Sequence, residues 1–265
     1  MSGFDYAEIR DWATELTREA GVRAAQMAGG ALNVKAKPDG SLVTDIDRSI
    51  EQFLREAINA KYPDHAVLGE EMGHTGDPNA PLWALDPIDG TTNLANGVPL
   101  WGVSVGLIDG DEAVVGCVSF PRIGEFWVGA KGHGATVNGE PLETLGPGGP
   151  LDWEDAYGSC ATGARDFAWR GVPLKLRVLG SAALEVCWTA AGRLKGCQST
   201  GVSLYDVAAG LCIGGEVGMQ ARWLNGRANG LYSPREHAQI GGKGTLLTAP
   251  PKTLDYITSR LQKHR

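Results

Sequence analysis

Two aspartates, Asp86 and Asp89, close a short apolar run in the stretch WALDPIDGTTNL at positions 83–94. A strand that ends in such a turn brings both carboxylates into one small volume, and two neighbouring anions are unfavourable unless a cation shares them. Carboxylate oxygens are ligands that Mg²⁺ prefers. The pair therefore predicts a divalent metal site, while the default alternative for a cluster of aspartate, proline and glycine is a solvated turn.

The residues directly after this pair suit a phosphate group. Gly90 lets the backbone approach a ligand closely, because it has no side chain. Thr91 adds a hydroxyl and an amide where a helix could begin, and the first N–H groups of a helix lack intrahelical partners. We expect the amides of Gly90 and Thr91 to receive phosphate beside the metal.

Further acids stand at the ends of other predicted elements. The strand-like run AVLGEE ends in Glu70 and Glu71, so these acids should reach the same sheet edge as Asp86. Asp47 lies at the start of a predicted helix, where it could also be an ordinary capping or surface residue. Asp206 lies in the first turn of another predicted helix, where an aspartate commonly compensates the helix dipole.

The stretch DPIDGTTN resembles the signature of the inositol monophosphatase family, whose members are magnesium-dependent, lithium-sensitive phosphomonoesterases. Three further segments match that family in the expected order: LVTDID at 42–47, LGEE at 68–71 and SLYDVAAG at 203–210. The matches extend from about residue 37 to about residue 218 and therefore cover most of the chain. One departure is Tyr205, where the family usually has tryptophan.

The resemblance implies two or three Mg²⁺ ions and names their ligands. Glu70, Asp86 and the backbone carbonyl of Ile88 would hold one ion. Asp86, Asp89 and Asp206 would hold the second, with Asp86 bridging, and Glu70 would help to support a weaker third ion. Magnesium favours hard oxygen ligands, and this set needs no histidine or thiolate.

The resemblance also implies a catalytic pair that activates water, Asp47 and Thr91. An aspartate that accepts a hydrogen bond from a hydroxyl orients the hydroxyl lone pair toward a water molecule. Together with the metals, this pair would hydrolyse a phosphate ester by water attack.

Small residues with hydroxyls or amides correspond to the family's substrate contacts: Ser159, Ser181 and Ala182. In inositol-specific members, an acid seven positions before the last metal aspartate binds the ring hydroxyls, and that position is Ser199 here. A pocket without this charged acceptor should discriminate less well between polyols.

The substrate therefore stays open at this stage. The loop KPDGSLVTDID is similar to members that act on histidinol phosphate, whereas TTNLANGVPLW is closer to the inositol type. Inositol 1-phosphate is the family default, and the alternatives are histidinol phosphate, fructose 1,6-bisphosphate and a 3′-phosphoadenosine nucleotide. A noncatalytic phosphate-binding regulatory protein on the same fold is the alternative from another class.

The predicted elements describe a mixed α+β and α/β protein with the layered αβαβα architecture that the resemblance implies. An amphipathic helix is predicted over 5–28, and an antiparallel meander follows from 99 to 128, with a glycine-rich hairpin after it. The segment LGPGGP at 145–150 suggests a boundary between an N-terminal subdomain, 1–145, and a C-terminal subdomain, 151–265, within one compact unit. The first would carry most metal ligands, and the second would supply Asp206 and the substrate contacts.

The second half is predicted to alternate between strands and helices. Its predicted elements are strands near 156–160, 175–179 and 194–198, helices over 182–191 and 204–217, the strand TLLTA, and a helix from Pro251. In the first half, a second helix is predicted over 45–60.

One motif suggests a different enzyme class. The segment GVSVG at 102–106 formally matches the nucleophile elbow of serine hydrolases, which requires a strand that turns sharply into a helix. The β pattern here continues through Leu107 and Ile108, which disfavours a serine hydrolase.

Composition restricts the partners of this chain of 265 residues. A formal net charge of −7, a pI near 5.3 and the lack of a basic run disfavour nucleic-acid binding. The charged N-terminal sequence lacks the apolar core of a signal peptide, and no segment is apolar enough to span a membrane. We expect a cytoplasmic protein that acts on a small phosphorylated substrate, and the resemblance implies a homodimer.

Overall fold

The computed structural model describes residues 5–30, 33–37, 42–169, 171–224, 232–240 and 244–261. The helices are α1 (Tyr6–Met27), α2 (Asp45–Lys61), α3 (Thr91–Ala95), α4 (Ala161–Asp166), α5 (Ala182–Ala190), α6 (Leu204–Glu216), α7 (Pro234–Ile240) and α8 (Pro251–Arg260). The strands are β1 (Val34–Ala36), β2 (Leu42–Thr44), β3 (Ala66–Gly69), β4 (Gly73–Thr75), β5 (Leu82–Asp89), β6 (Gly102–Asp109), β7 (Glu112–Phe120), β8 (Glu125–Ala130), β9 (Ala135–Val137), β10 (Glu140–Pro141), β11 (Ala156–Ser159), β12 (Lys175–Arg177), β13 (Cys197–Thr200), β14 (Gln220–Trp223) and β15 (Thr245–Ala249).

These elements form the predicted αβαβα layers. Helices α1 and α2 cover one face of an eight-stranded sheet, and α5 and α6 cover its other face. The same pair, α5 and α6, packs against a five-stranded sheet, whose far face is covered by α8. Alternation along β15 shows the two-sided burial: Leu246 packs with residues of α5 and α6, and Leu247 packs with residues of α8.

The eight-stranded sheet has the order β10-β9-β8-β7-β6-β5-β3-β4. Strands β6 to β8 form the predicted antiparallel meander, and β9 and β10 form the predicted hairpin. Strand β5 pairs with β6 in antiparallel and with β3 in parallel orientation. The register pairs Gly69 with Leu85, so the next residues, Glu70 and Asp86, lie side by side toward the C-terminal ends of two parallel strands. This confirms the expectation from the two strand-like runs.

Helix α6 lies close to the sheet because glycines face it on three neighbouring strands. A Cβ atom on Gly116 would lie 2.2 Å from the carbonyl oxygen of Ala209, and one on Gly106 would lie 2.7 Å from the Ala208 Cβ. Gly129 faces Ile213 one turn further along. This close approach fixes the start of α6 near the end of β5.

The five-stranded sheet has the order β12-β11-β13-β15-β14 and mixes parallel with antiparallel pairs. The strand predicted near 194–198 was placed too early, because β13 spans Cys197–Thr200. The reason is the end of α5, where Gly192 has φ 69° and the Leu194 amide donates to the Trp188 carbonyl. Leu194 therefore belongs to the helix-ending turn.

The sequence patterns missed several short elements: β1, β4, α4, β14 and α7. Each is only a few residues long, so its periodicity is too short to recognise. Of the loop KPDGSLVTDID, positions 38–41 lie outside the described residues. The segment 145–150 falls between the last strand of the large sheet and the first strand of the small one. The division into subdomains 1–145 and 151–265 stays a proposal.

Two further expectations concern the serine-hydrolase motif and membrane-spanning segments. Ser104 of the GVSVG segment is buried inside β6, which continues to Asp109, so the chain has no strand-to-helix turn at that position. Among the described residues, no helix combines the length and the hydropathy needed to cross a membrane.

Candidate active site

The predicted metal ligands lie where β3, β5, α5 and α6 meet. Glu70 follows β3, and Asp86 and Asp89 lie in the last four residues of β5. Asp206 lies in the first turn of α6. Asp86 and Asp89 are buried, at 2% and 6% exposure. The fold therefore brings together four acids that are separated by up to 136 positions in the sequence (206 − 70).

Asp86 is at the centre of this acidic cluster, which we define as Glu70, Asp86, Asp89 and Asp206. Its side chain is hydrogen-bonded to the carboxyl groups of Glu70 and Asp206, and its Oδ1 accepts the Ile88 amide at 3.0 Å. Burial, followed by the charges of Glu70, Asp89 and Asp206, raises the pKa of Asp86 well above its usual range.

Asp89 is bound to the first turn of α5. Its carboxylate accepts the amides of Ala182 and Ala183, each at 3.0 Å, and the hydroxyl of Ser181. Burial raises its pKa to about 6, although these three donors oppose the shift. Ala183 was not predicted, because backbone donors leave no sequence signal.

Asp206 and Asp47 each cap the helix that carries them. The Ser203 amide donates to Oδ2 of Asp206 at 2.6 Å, and the Thr44 amide donates to Oδ2 of Asp47 at 2.8 Å. The motifs T-x-x-D and S-x-x-D in the sequence correspond to these capping boxes. Burial, followed by the charge of Asp89, raises the pKa of Asp206 well above its usual range.

Lys37 is the basic residue at the acidic cluster. Its ammonium group lies 2.8 Å from Oε1 of Glu70 and also binds Glu71. Burial raises the pKa of Glu70, while the hydrogen bond and charge of Lys37 oppose that rise. Lys37 carries no recognisable signal in the sequence, since an isolated lysine in a polar loop is usually a solvated surface residue.

The predicted catalytic pair is in hydrogen-bonding contact. The Thr91 hydroxyl lies 3.2 Å from Oδ1 of Asp47 and 3.0 Å from the carbonyl oxygen of Ile88. Asp47 is fully buried, and this burial raises its pKa, while hydrogen bonds from Thr44 and Thr91 oppose the rise. The backbone carbonyl of Ile88, a predicted metal ligand, thus faces the same hydroxyl.

Gly90 is the N-cap residue directly before α3 and has φ 91°, in the left-handed region. A Cβ atom there would lie 2.9 Å from the Leu100 carbonyl and 3.2 Å from the Gly180 carbonyl. The turn that carries the predicted phosphate amides of Gly90 and Thr91 therefore requires glycine, both for its backbone angle and for its close packing.

The predicted substrate residues divide into two groups. Ser181 and Ala182 join the acidic cluster through Asp89. Ser159 and Ser199 lie in the five-stranded sheet, at 0% and 2% exposure, and the Ser159 hydroxyl donates to the Gln198 side chain at 2.9 Å. The structure therefore does not bring Ser159 or Ser199 into hydrogen-bonding contact with the four acids.

The acidic cluster fits a divalent cation by its donor chemistry. Within the described ranges, no three His, Cys, Asp or Glu side chains form a preassembled ligand group. The carboxyl groups of the cluster are, however, buried beside one another, and burial together with their neighbouring negative charges raises the pKa values of Asp86 and Asp206. A divalent cation would offset this repulsion between buried oxygens. The donor set, all oxygen, matches Mg²⁺ or another hard cation.

Comparison with known proteins agrees with this chemistry. A family model described as the inositol monophosphatase family matches residues 5–263. A fructose-1,6-bisphosphatase/inositol-1-monophosphatase of Aquifex aeolicus is 34% identical over 194 residues, which cover 70% of this chain and 74% of the relative. An inositol-1-monophosphatase of Synechocystis is 34% identical over 229 residues, which cover 81% of this chain and 79% of the relative.

A histidinol-phosphatase of Chlorobaculum parvum is 38% identical over 132 residues, which cover 49% of this chain and 51% of that protein. Among solved structures, an inositol monophosphatase from Anabaena superposes with a TM-score of 0.74 at 26% identity. That alignment covers 96% of this chain and 94% of the Anabaena chain.

Fold, site and relatives together define a hydrolase, a phosphatase of layered α/β architecture. The chain belongs to the inositol monophosphatase family, which is metal-dependent. This membership favours the enzyme over the noncatalytic phosphate-binding alternative.

Proposed function

We propose that this phosphatase hydrolyses a small phosphate monoester with Mg²⁺ bound at the acidic cluster, and that inositol 1-phosphate is the first candidate substrate. The observation that carries the proposal is the placement of four acids beside the Thr91–Asp47 hydrogen bond at one sheet edge. Acids that need a cation and a hydroxyl that can orient water are thus close together.

The proposed metal ligands are those implied by the family resemblance. Glu70, Asp86 and the Ile88 carbonyl would hold one ion, and Asp86, Asp89 and Asp206 would hold a second, while Glu70 supports a third. When bound, Mg²⁺ would assist the ionisation of water and neutralise charge on the phosphate oxygens. Oδ1 of Asp89 accepts a single amide, so it retains acceptor capacity for a cation.

The role proposed for Thr91 and Asp47 is to orient water. A hydroxyl has one proton, and Thr91 can direct it to Asp47 or to the Ile88 carbonyl. A carbonyl that binds a cation is a weaker acceptor, so the Thr91 proton then goes to Asp47. The lone pairs of the Thr91 hydroxyl are left to accept a hydrogen bond from the attacking water, and a water proton that moves to Thr91 is balanced by the hydroxyl proton that moves to Asp47.

The proposed phosphate site is the turn at Gly90 and Thr91. Gly90 exposes backbone without a side chain, and its neighbours, the Leu100 and Gly180 carbonyls, fix the turn from behind. Ser181 and Ala182 hold Asp89 next to this turn, so their role in substrate binding would be exerted partly through Asp89.

The identity of the leaving alcohol is the part of the proposal that most needs a test. Relatives with inositol monophosphatase names favour a polyol phosphate, and one of them also carries a fructose-1,6-bisphosphatase name. The histidinol-phosphatase relative supports histidinol phosphate as the second candidate. Ser199 provides no carboxylate for ring hydroxyls, so we expect weaker selection among polyols than a glutamate at this position would give.

Phosphate release from a substrate panel tests the proposal. The panel contains inositol 1-phosphate, histidinol phosphate, fructose 1,6-bisphosphate and 3′-phosphoadenosine 5′-phosphate, each with Mg²⁺, with EDTA, and with Mg²⁺ plus Li⁺. We expect Mg²⁺-dependent release that Li⁺ lowers, with inositol 1-phosphate preferred. Equal activity in EDTA would contradict the metal assignment, and a clear preference for histidinol phosphate would replace the proposed substrate.

The homodimer and the cytoplasmic location stay predictions of the sequence. Sedimentation of the purified chain tests the first, and fractionation of cells that express it tests the second.

A further inference from the structure

Glu51 is a fully buried acid outside the acidic cluster. It lies on α2, one turn after Asp47, and faces the loop that follows β3. Its Oε2 accepts the amide of Glu71 at 2.7 Å, and its Oε1 accepts the amide of Met72 at 3.0 Å. The Glu51 carboxylate therefore binds the backbone immediately after Glu70.

Arg55 extends this contact to the neighbouring strand. Its Nε donates to Oε1 of Glu51 at 2.7 Å, its Nη1 donates to the Thr75 hydroxyl at 3.1 Å, and its Nη2 donates to the Gly73 carbonyl. Gly73 and Thr75 bound β4, which pairs with β3. The Glu51–Arg55 pair thus holds both strands around the loop 70–72.

Gly69 leaves the space in which the Glu51 carboxylate lies. A Cβ atom at Gly69 would be 2.2 Å from Oε1 of Glu51, closer than any side chain allows. The Glu51 carboxylate therefore packs directly on the backbone of the residue before Glu70. Residues on both sides of Glu70, Gly69 and Glu71, are thereby in contact with one buried carboxylate.

We propose that Glu51 is a positioning residue that holds the carboxylate of Glu70 in place for a divalent cation. The proposal rests on the proposed function, since it assumes that Glu70 is a metal ligand. The Glu70 side chain contacts Lys37, which lies on a different segment of the chain. The position of the Glu70 backbone is fixed from its C-terminal side, where the Glu71 amide binds Glu51. Because Asp47 and Glu51 are on one helix, α2 positions the catalytic pair and a metal ligand together.

The carboxylate, rather than an amide, is what this position requires. Within the described part of the chain, the groups hydrogen-bonded to Oε1 and Oε2 of Glu51 are all donors: the Glu71 amide, the Met72 amide and Arg55. A glutamine at 51 would place an NH₂ group against one of these donors and leave it unpaired in a buried position. The loop that carries Glu70 would then lose a hydrogen bond and move away from the cluster.

Mg²⁺ binding to the substrate-free protein tests the proposal. Isothermal titration calorimetry with MgCl₂ alone compares wild type with Glu51→Gln and with Glu56→Gln, an exposed residue on the same helix. We expect the dissociation constant for Mg²⁺ to rise roughly tenfold in Glu51→Gln, as for other residues that orient metal ligands, and to stay unchanged in Glu56→Gln. Ile58→Val, a core change on α2, shows whether lower stability alone weakens binding, and we expect that it does not.

The outcomes separate the two proposals. Wild type that binds no Mg²⁺ would contradict the proposed function, whatever Glu51 does. Wild type that binds Mg²⁺ together with an equally tight Glu51→Gln variant would overturn the role of Glu51. If Glu51→Gln does not fold, the same titration with Arg55→Lys tests the role of Glu51. Lysine retains a positive charge near Glu51 but loses the two guanidinium hydrogen bonds to Gly73 and Thr75. Weaker Mg²⁺ binding by Arg55→Lys is then expected, and unchanged binding would overturn the role.

Discussion

At the scale of single residues, the Thr91 hydroxyl is the group of the candidate site whose hydrogen-bond contacts are most specific. It lies between a buried carboxylate, Asp47, and a backbone carbonyl, Ile88, each within hydrogen-bonding distance. A threonine that served only to begin α3 would not need a buried acid from another helix as its partner. The pair is therefore the feature of the site that depends most directly on side-chain chemistry.

Replacing Thr91 by valine removes the hydroxyl and keeps the shape of the side chain. We expect kcat to fall about a hundredfold or more, because general acid–base assistance contributes on that scale. Steady-state phosphate release measures it. Thr91→Ser should retain most of the activity, and Thr92→Val, an exposed change on the same helix, should retain nearly all of it. Full activity in Thr91→Val would show that another group orients the water.

Asp89→Asn removes a negative charge from the acidic cluster and keeps an oxygen that can accept from α5. We expect Mg²⁺-dependent turnover to fall roughly a hundredfold or more, because charge stabilisation by a bound metal contributes several kcal/mol. Circular dichroism should still show a folded protein. A variant that is folded and as active as wild type would contradict the assignment of Asp89 as a ligand.

At the scale of elements, α5 links the turn at Gly90 and Thr91, the proposed phosphate site, to the five-stranded sheet. Its first amides bind Asp89, and one turn later Glu185 accepts the Leu179 amide at 3.0 Å. Oε2 of Glu185 is buried and has no partner among the described residues. Burial raises the pKa of Glu185 to about 8, so the side chain is protonated at neutral pH.

The shifted pKa of Glu185 predicts how stability depends on pH. The unfolded chain loses this proton near pH 4.5, and the folded protein keeps it until about pH 8. The contribution to stability is therefore complete below pH 4.5 and is lost as pH rises to 8. In EDTA, Glu185→Gln should reduce the fall in unfolding free energy between pH 5.5 and 7.5 by about 2 kcal/mol relative to wild type.

Urea unfolding at the two pH values measures this difference. Glu15→Gln changes an exposed carboxyl on α1 and is the control. Parallel pH dependence in wild type and Glu185→Gln would show that Glu185 ionises normally in the folded protein.

At the scale of the whole molecule, we expect the acidic cluster to be a source of instability that a bound cation would offset. Buried carboxyls at the junction of β5, α5 and α6 repel one another, which is reflected in their raised pKa values. A ligand that binds only the folded state stabilises it in proportion to the logarithm of its concentration. Metal binding at the proposed ligands would therefore be coupled to folding.

Adding Mg²⁺ at a hundred times its dissociation constant should raise the unfolding free energy by about 2.7 kcal/mol. Thermal unfolding with MgCl₂, compared with NaCl at equal ionic strength, measures the effect. Asp206→Asn should show a much smaller shift. A wild-type midpoint that does not respond to Mg²⁺ would contradict metal binding at this site.

The sequence by itself was enough to predict the candidate metal-binding and catalytic residues and most of the helices and strands that carry them. Asp86 and Asp89 were recognisable from their position at the end of an apolar run, and the long helices and the meander from their periodicity. These signals are local, because strand alternation, helix spacing and turn residues act over a few neighbouring positions. Short elements such as β4 and α7 give too few positions for such a signal.

Only the tertiary structure decided which residues meet and what each one contacts. Asp89 receives its donors from α5, and Glu51 holds a loop on the far side of β3, through partners up to 94 positions away in the sequence. Ser159 resembles a family substrate contact and Ser199 stands where inositol-specific members have an acid, and only the structure shows that both are buried in the five-stranded sheet. Such contacts depend on how the layers pack, and backbone donors and close glycine approaches leave no mark in the pattern of side chains.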